Sequence, residues 1–171
     1  MRAIHVLFYR PQPDDHWLNH LVTYFSPPFS HCDLQFEDGT ATSIYQHEAV
    51  YLEPKSFSRL NYHRVSLSVT DAEYGRIQQF CQRAHREGVG FDYAGMVMAY
   101  LPYSPRQPAD KTFCSRFIVE ALQQSGRPEF AHAHPPSVTP SSLHELLANT
   151  NKGFLHVSDA RLQRMRGVGP Q

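Results

Sequence analysis

The feature that most limits how this chain can fold is an Asp-Gly pair between two runs of β-prone residues. The runs cover residues 30–36 and 41–46, and Asp38 and Gly39 lie between them. Asp-Gly in this position is a strong short-range signal for a β-hairpin. We therefore predict two antiparallel strands here, joined by a tight turn.

The length of the hairpin loop decides which residues of the two strands face each other. A two-residue loop places Gln46 directly opposite His31. A three-residue loop that ends at Gly39 places Tyr45 opposite His31 and leaves Ser43 diagonal to it on the same face. The residues around the turn are compatible with both registers.

Apolar periodicity and end signals divide the rest of the chain into strands and helices. A capping box at Thr70 and Glu73 starts the most clearly bounded helix, which ends before Gly88. The other predicted elements are strands at 3–9, 65–69 and 154–157 and helices at 17–25 (capped by Asp14), 92–98 (capped by Asp92), 112–124 and 141–148.

The length and the charge predict one domain without a nucleic-acid partner. We assign residues 1–160 to the domain and residues 161–171, which are basic and contain two Gly and a Pro, to a loose C-terminal tail. The chain of 171 residues has 16 basic and 16 acidic side chains, so its net charge is +0. A balanced charge gives no overall field to recruit nucleic acid.

The cysteines and the N-terminus predict the compartment. Cys32, Cys81 and Cys114 are an odd number without a CxxC pair, which argues against a disulfide framework and a zinc ribbon. The apolar run near the N-terminus is too short for the apolar core of a signal peptide, so we expect no signal sequence, and no run of about 18 apolar residues suggests a membrane span. We expect a soluble protein without a metal or cofactor, located in the cytoplasm or in a particle assembled there.

Cys114 falls in the first turn of a predicted helix. Unpaired N–H groups and the positive end of the helix dipole favour a thiolate there and can also hold an oxyanion. A small buried core residue is the alternative, because free cysteine is among the more buried residue types. A nucleophilic Cys114 needs a general base within hydrogen-bonding reach.

His31 is the candidate for that base. Period-two alternation places Cys32, Leu34 and Phe36 on an apolar face of the strand. His31 shares the opposite, polar face with Asp33 and Gln35, so it points away from the apolar layer, toward solvent or a site. An ordinary exposed histidine is the alternative.

Four short motifs occur in an order that is typical of a known superfamily. They are Ser30-His31 at a strand start, Asp38-Gly39 at the hairpin, Gly90-Phe91-Asp92-Tyr93-x-Gly95, and Phe113-Cys114-Ser115 at a helix start. Residues 29–122 thereby resemble the permuted NlpC/P60 branch of the papain-like enzymes, which includes YiiX-like and phage-encoded proteins and, more distantly, lecithin:retinol acyltransferase-like and PPPDE proteins.

The resemblance implies a fold, a reaction and a source. The fold is α+β, a circularly permuted papain-like arrangement of helices packed on an antiparallel sheet. Cys114 begins a helix and matches the nucleophile, and His31 on a facing strand matches the base. The reaction is acyl transfer to water or another acceptor, on peptide, amide or acyl substrates. A phage or viral source is expected, and the protein then lies inside the viral particle.

The third catalytic residue and the cleft are less clearly defined by the sequence. A second histidine of the acyltransferase-like relatives falls on Ser43 here, which can orient His31 but carries no charge. Gln46 is the second candidate, on the two-residue loop geometry. Tyr93 matches a residue near the site in such relatives and is the candidate substrate-binding residue, whereas a helix cap at Asp92 and simple packing of Tyr93 are the alternative.

We therefore expect a cysteine hydrolase that uses Cys114 and His31. The competing hypothesis is a non-catalytic binding or virion-structural module that docks to a larger assembly through the tail at 161–171. Two histidine pairs lack a third ligand at metal-site spacing and are interpreted as surface residues. They are His16 with His20, and His132 with His134.

Overall fold

Five antiparallel strands form the main sheet of the structure, a computed structural model that describes residues 1–101 and 108–150. The strand order is β4-β3-β2-β1-β5, so consecutive strands are neighbours except where β5 pairs with β1. The strands are β1 (Arg2–Tyr9), β2 (His31–Phe36), β3 (Thr40–Ser43), β4 (Tyr51–Pro54) and β5 (Tyr62–Val69). A second, parallel sheet pairs β6 (Gly90–Phe91) with β7 (Lys111–Thr112).

Helices complete the α+β architecture. They are α1 (Trp17–Phe25), α2 (Asp71–Arg86), α3 (Tyr93–Met98), α4 (Cys114–Gln123), α5 (Pro128–Ala131) and α6 (residues 140–150), with a 3-10 turn at Pro135–Ser137. Within residues 1–101 and 108–150, every helix falls short of the length and apolar character needed to cross a membrane.

The predicted hairpin is confirmed, and its register is the one with the longer loop. Leu34 pairs with Thr42 and Gln35 with Ala41, which leaves residues 37–39 as a three-residue loop. Gly39 adopts φ 85°, a left-handed conformation that a residue without Cβ reaches at low cost. The two-residue loop, on which the position of Gln46 opposite His31 depended, is therefore wrong.

The other elements largely follow the sequence pattern, with two corrections. The predicted strands at 3–9 and 65–69 and the four helices after residue 70 are confirmed within the described residues. His16, and not Asp14, caps α1, because its ring accepts a hydrogen bond from the Leu18 N–H. Strand β4 was not predicted. The predicted strand at 154–157 and the tail at 161–171 lie outside the described residues.

The core lies between one face of the sheet and helices α2 and α4. Strand β2 contributes Cys32, Leu34 and Phe36 to it, as the period-two pattern predicts. Eight of the ten residues of α4 are buried, among them Ile118 at 0% exposure. Burial of an aliphatic side chain of this size stabilises the fold by about 1.5–3 kcal/mol. The core therefore fixes the position of the residue at which α4 begins.

Helix α1 differs from this pattern because only part of its predicted apolar stripe is buried. Leu18 and Val22 are buried, whereas Trp17, Leu21 and Phe25 are exposed. The two buried residues line a cavity rather than the main core. Helix α1 therefore acts as a wall of that cavity.

Candidate active site

Cys114 is the first residue of α4, and within the described residues no side chain is seen to cap this helix. The preceding residue, Phe113, is extended (φ −134°, ψ 164°) and makes no capping hydrogen bond. By contrast, Thr70 caps α2 and Asp92 caps α3 through their side-chain oxygens. The first N–H groups of an uncapped helix favour negative charge close to them. The thiol is therefore at the end of α4 where a thiolate is stabilised.

His31 and Cys114 meet at one cavity. His31 is the first residue of β2, and it is 8% exposed, as is Cys114. Both side chains line a cavity of about 440 Å³. The imidazole and the thiol are close enough for each to shift the pKa of the other. The structure thus brings together the two residues that the sequence predicted as a pair.

The Nε2 atom of His31 faces two oxygen acceptors. Asp33 Oδ1 lies 3.5 Å from Nε2, and Ser43 Oγ lies 3.4 Å from it. The Ser43 hydroxyl donates its hydrogen to the carbonyl oxygen of Cys32 at 2.7 Å, so it can only accept from Nε2–H. Both neighbours favour a proton on Nε2, which leaves Nδ1 as the nitrogen available to the Cys114 thiol.

Asp33 is a buried carboxylate held by two tyrosines and a lysine. Its side chain is 0% exposed. Oδ1 accepts hydrogen bonds from Tyr51 Oη and, at 3.4 Å, from Tyr45 Oη, and it lies 3.9 Å from Lys55 Nζ. Burial alone raises the pKa of Asp33, but His31, Tyr51 and Lys55 outweigh it, and the pKa is lowered from its ordinary value. The group is therefore a carboxylate at neutral pH.

Stacked aromatic rings fix the orientation of the imidazole. The rings of His31 and Tyr45 stack with their centroids 4.3 Å apart and 19° between their planes. The Tyr51 ring stacks on the other side of Tyr45 at 5.7 Å. Lys55 Nζ lies 4.5 Å and 4.6 Å from the centroids of the two tyrosines and donates to Tyr45 Oη at 2.8 Å. The histidine thus has one well-defined orientation toward Cys114.

The charges of this cluster shift the pKa of both reacting groups. Burial lowers the pKa of His31, but the negative charges of Asp33 and Cys114 outweigh it and raise the pKa to about 10. The hydrogen bond from the Cys32 thiol and the charge of His31 outweigh burial and hold the pKa of Cys114 well below its ordinary value. The favoured state at neutral pH is therefore a thiolate beside an imidazolium.

The cavity next to this pair is lined by both apolar and polar side chains. The apolar ones are Leu18, Val22, Ile44, Phe91 and Met96. The polar ones include Tyr9, Asp15, Asn19, Gln46 and Tyr62. Asp15 is held by Tyr9 Oη at 2.8 Å and by the Gln12 N–H at 2.8 Å. The cavity can thus accommodate both a polar reacting group and an apolar neighbouring group.

The other residues predicted for the site have separate positions. Gln46 lies on the cavity wall, but the hairpin register does not place it opposite His31. Tyr93 is 40% exposed, contacts the rings of Phe91 and His47, and is not among the residues that line the cavity. Asp92 caps α3 by accepting the Gly95 N–H at 2.8 Å, as the packing alternative expects.

Sequence reasoning missed the acidic neighbour of His31. The sequence pattern placed Asp33 on the same face of β2 as His31. Same-face neighbours in a strand have Cα atoms about 6.6 Å apart, so the pattern alone did not predict a contact between the two side chains. The presence of a carboxylate two residues after the histidine was the available signal. Tyr51 and Lys55 belong to β4 and the segment after it, and since β4 was not predicted neither residue could be assigned.

Residues 1–101 and 108–150 contain no group of three or more histidine, cysteine or acidic side chains arranged to hold a metal ion. His16 and His20 lie on the exposed side of α1, and His16 serves as its cap.

No protein-family model, curated protein sequence or solved structure matches the chain. The description of the site therefore depends on its geometry and on the chemistry of its side chains.

Proposed function

We propose that the protein is a cysteine-dependent hydrolase or acyltransferase with Cys114 as the nucleophile and His31 as the general base. The observation that carries the proposal is the position of Cys114 at an uncapped helix start, beside a histidine whose Nε2 faces a buried carboxylate. A nucleophile, a base and a group that orients the base are the three components of thiol catalysis.

The proposed reaction begins with attack of the Cys114 thiolate on a substrate carbonyl carbon. The C–S bond forms while the carbonyl electron pair moves to oxygen, and backbone N–H groups at the start of α4 stabilise the oxyanion. The tetrahedral intermediate collapses and breaks the bond to the leaving group, which takes a proton from the His31 imidazolium. The product of this half-reaction is a thioester on Cys114.

The second half-reaction regenerates the enzyme. Neutral His31 removes a proton from water, or from an acceptor hydroxyl or amine, as that group attacks the thioester carbonyl. The C–S bond then breaks, and the thiolate beside the imidazolium is restored. Asp33 compensates the imidazolium charge in the resting state and holds the ring by its Nε2 atom, which leaves Nδ1 for the sulfur in this proposal.

In this proposal Asp33 replaces Ser43 and Gln46 as the principal orienting residue. A carboxylate stabilises an imidazolium by charge, which a serine hydroxyl or an amide cannot do. Ser43 keeps a secondary role as an acceptor 3.4 Å from Nε2. Gln46, one of the polar residues that line the cavity, is assigned to substrate contact.

The proposed fold family is the permuted NlpC/P60 branch of the papain-like enzymes. Three features support it: the histidine strand precedes the cysteine helix in the chain, α4 packs on the sheet that contains β2, and the Asp92 segment caps a helix beside the cavity. We infer from the mixed cavity wall that the substrate is a peptide, amide or acyl compound with an apolar group near the scissile bond.

The test of the proposed function uses an electrophilic carbonyl probe that reacts with thiols, and it compares the wild type with the variants Cys114→Ser and Cys81→Ala. Cys81 is 0% exposed within α2 and has no part in the mechanism, so it is the matched control. We expect the wild type and Cys81→Ala to form the adduct on Cys114, and Cys114→Ser to form none. An adduct of unchanged yield in Cys114→Ser contradicts the proposal.

The second candidate function is a binding module that keeps the fold without turnover. The burial of Cys114, which is 8% exposed and packs in the core cluster, favours this alternative. It predicts that Cys114 is not labelled at a rate above that of an ordinary thiol. The rate of labelling thus separates the two candidates.

A further inference from the structure

A second thiol lies beside the proposed nucleophile. Cys32 follows His31 directly in β2, is 0% exposed, and is a free cysteine like Cys114. Cys32 and Cys114 belong to the same buried core cluster, in which α4 packs against β2. The Cys32 thiol also helps to lower the pKa of Cys114, so the side chain of Cys32 is a potential sulfur partner of the nucleophile.

The bond-forming and bond-breaking steps of the proposed catalysis do not use the thiol at position 32, and the packing of the core does not require one. The Cys32 thiol helps to lower the pKa of Cys114, as His31 does, but it exchanges no bond or proton with the substrate. The neighbouring core positions on the same face of β2 are Leu34 and Phe36, so an aliphatic residue satisfies the same environment. The chemistry specific to cysteine at this position is reaction with another sulfur.

We propose that Cys32 and Cys114 form an oxidation-sensitive pair, in which a hydroperoxide oxidises Cys114 and Cys32 then closes a reversible disulfide with it. The inference concerns regulation of the same site and rests on the proposed function, since it needs a reactive thiolate at Cys114. Its effect is to switch the enzyme off in the presence of peroxide and to protect the nucleophile from irreversible oxidation.

The chemical steps balance with a hydroperoxide as oxidant and a thiol as reductant. The Cys114 thiolate attacks the terminal oxygen of the hydroperoxide, the O–O bond breaks, and the alkoxide or hydroxide leaves with a proton from water, which gives a sulfenic acid. The Cys32 sulfur then attacks the Cys114 sulfur, and the sulfenic oxygen leaves with the Cys32 proton as water. Two equivalents of thiol reduce the disulfide and restore both cysteines.

The positions of the two residues set the order of events. Cys114 lines the cavity, so a small peroxide can reach it, whereas Cys32 is fully buried beneath it. Burial raises the pKa of Cys32, which keeps it a thiol until the neighbouring sulfur is oxidised. Cys81 is also 0% exposed, lies in α2 and does not line the cavity, so it does not compete for Cys114.

The experiment treats the full chain with an excess of hydrogen peroxide and identifies the cysteine products by mass spectrometry. Trypsin places the three cysteines on separate peptides, Cys32 on residues 3–55, Cys81 on residues 77–83 and Cys114 on residues 112–116. We expect peptide 3–55 to be disulfide-linked to peptide 112–116 in the wild type and in Cys81→Ala. Dithiothreitol is expected to reverse the link and restore alkylation of Cys114.

The variants Cys32→Ala and Cys32→Val test the role of the buried thiol, and the valine fills the space that the alanine leaves empty. In both variants we expect Cys114 to gain two or three oxygen atoms, a product that dithiothreitol does not reverse. The pairing is overturned if the wild type gives the same oxygenated Cys114 as these variants and no linked peptide. That result, together with normal probe labelling of Cys114, leaves the proposed function intact.

A different result overturns the proposed function as well. If reduced wild type shows neither peroxide oxidation nor probe labelling at Cys114, no reactive thiolate is present and both proposals fail. A linked peptide without any turnover supports the pair and contradicts catalysis. The mass of the peptides and the turnover assay therefore report on the two proposals separately.

Discussion

At the scale of single residues, the central feature is a chain of charged and polar groups that ends at the thiol. Lys55 contacts Tyr45 and Tyr51, the tyrosines contact Asp33, and Asp33 lies next to His31. Tyr51 and Lys55 help to lower the pKa of Asp33, and the charge of Asp33 raises the pKa of His31. Since the carboxylate is buried, its effect on His31 is not weakened by solvent.

Removal of the carboxylate should lower the pKa of His31. In the folded wild type this pKa is raised to about 10, so the imidazolium persists through neutral pH and is lost only as the pH rises through that value. Asp33→Asn removes the main charge that raises it, and we expect the titration to move downward toward the ordinary value of about 6.5. NMR titration of ¹³C-labelled histidine measures this, and the resonance missing in His31→Gln assigns the signal.

An unchanged His31 titration in Asp33→Asn would show that the carboxylate does not govern the imidazolium. The matched control is Asp38→Asn. It removes a carboxylate of the hairpin loop that, among the described residues, accepts a hydrogen bond from the Thr40 N–H. This control should leave the His31 titration where it is in the wild type.

Tyr51, the tyrosine nearest to Asp33, should affect turnover although it does not line the cavity. Tyr51→Phe removes the hydroxyl that donates to Asp33 Oδ1. A hydrogen bond to a charged group contributes about 1.5–3 kcal/mol, so we expect kcat to fall by about 10-fold or more while KM changes little. Steady-state kinetics on any substrate that supports turnover measures both constants.

Tyr24→Phe is the control for this variant, because Tyr24 is 81% exposed on α1. Equal values of kcat in Tyr51→Phe and Tyr24→Phe would mean that the Tyr51 hydroxyl does not support Asp33.

At the scale of elements, the starts of helices α2 and α4 differ in whether a side chain caps them. The start of α2 is closed by a full capping box, in which Thr70 Oγ1 accepts from the Glu73 N–H at 3.2 Å and Glu73 accepts from the Thr70 N–H at 2.7 Å. The start of α4 has no capping side chain. The N–H groups that catalysis is proposed to use are thus left to a substrate oxygen.

Loss of the α2 cap should therefore cost stability and not activity. Thr70→Ala is expected to lower the free energy of unfolding by about 1 kcal/mol, because one N–H loses its acceptor. Urea denaturation measures the change. Thr23→Ala, whose hydroxyl bonds only to carbonyls of its own helix α1, should change the stability by less than about 0.5 kcal/mol. A Thr70→Ala variant as stable as the wild type would contradict this assignment.

The local elements were predictable because each depends on a pattern within a few residues. The Asp38-Gly39 turn, the Thr70 capping box and the alternation along β2 all have this character. The loop length was not decided by such a pattern, since both registers suited the residues around the turn. The structure decides it through the pairing of Leu34 with Thr42.

At the scale of the whole molecule, the fold brings together residues that are far apart in the chain. His31 and Cys114 were predicted as partners from the order of motifs, and the packing of α4 on the sheet brings them to one cavity. The cover of Asp33 was not predictable, because it depends on Tyr51 of the edge strand β4 and on Lys55 after it, whose side chains reach the carboxylate. Contacts of that kind arise from topology and not from local periodicity.

The central claim is that His31 holds Cys114 as a reactive thiolate, and the pH dependence of its alkylation tests this most directly. Iodoacetamide reacts with the thiolate, so the rate at Cys114, read from peptide 112–116, reports its ionisation. The wild type should react at pH values well below the ordinary cysteine value of about 8.5, whereas His31→Gln should need a higher pH, closer to that value. Identical pH profiles in the two proteins would contradict the account.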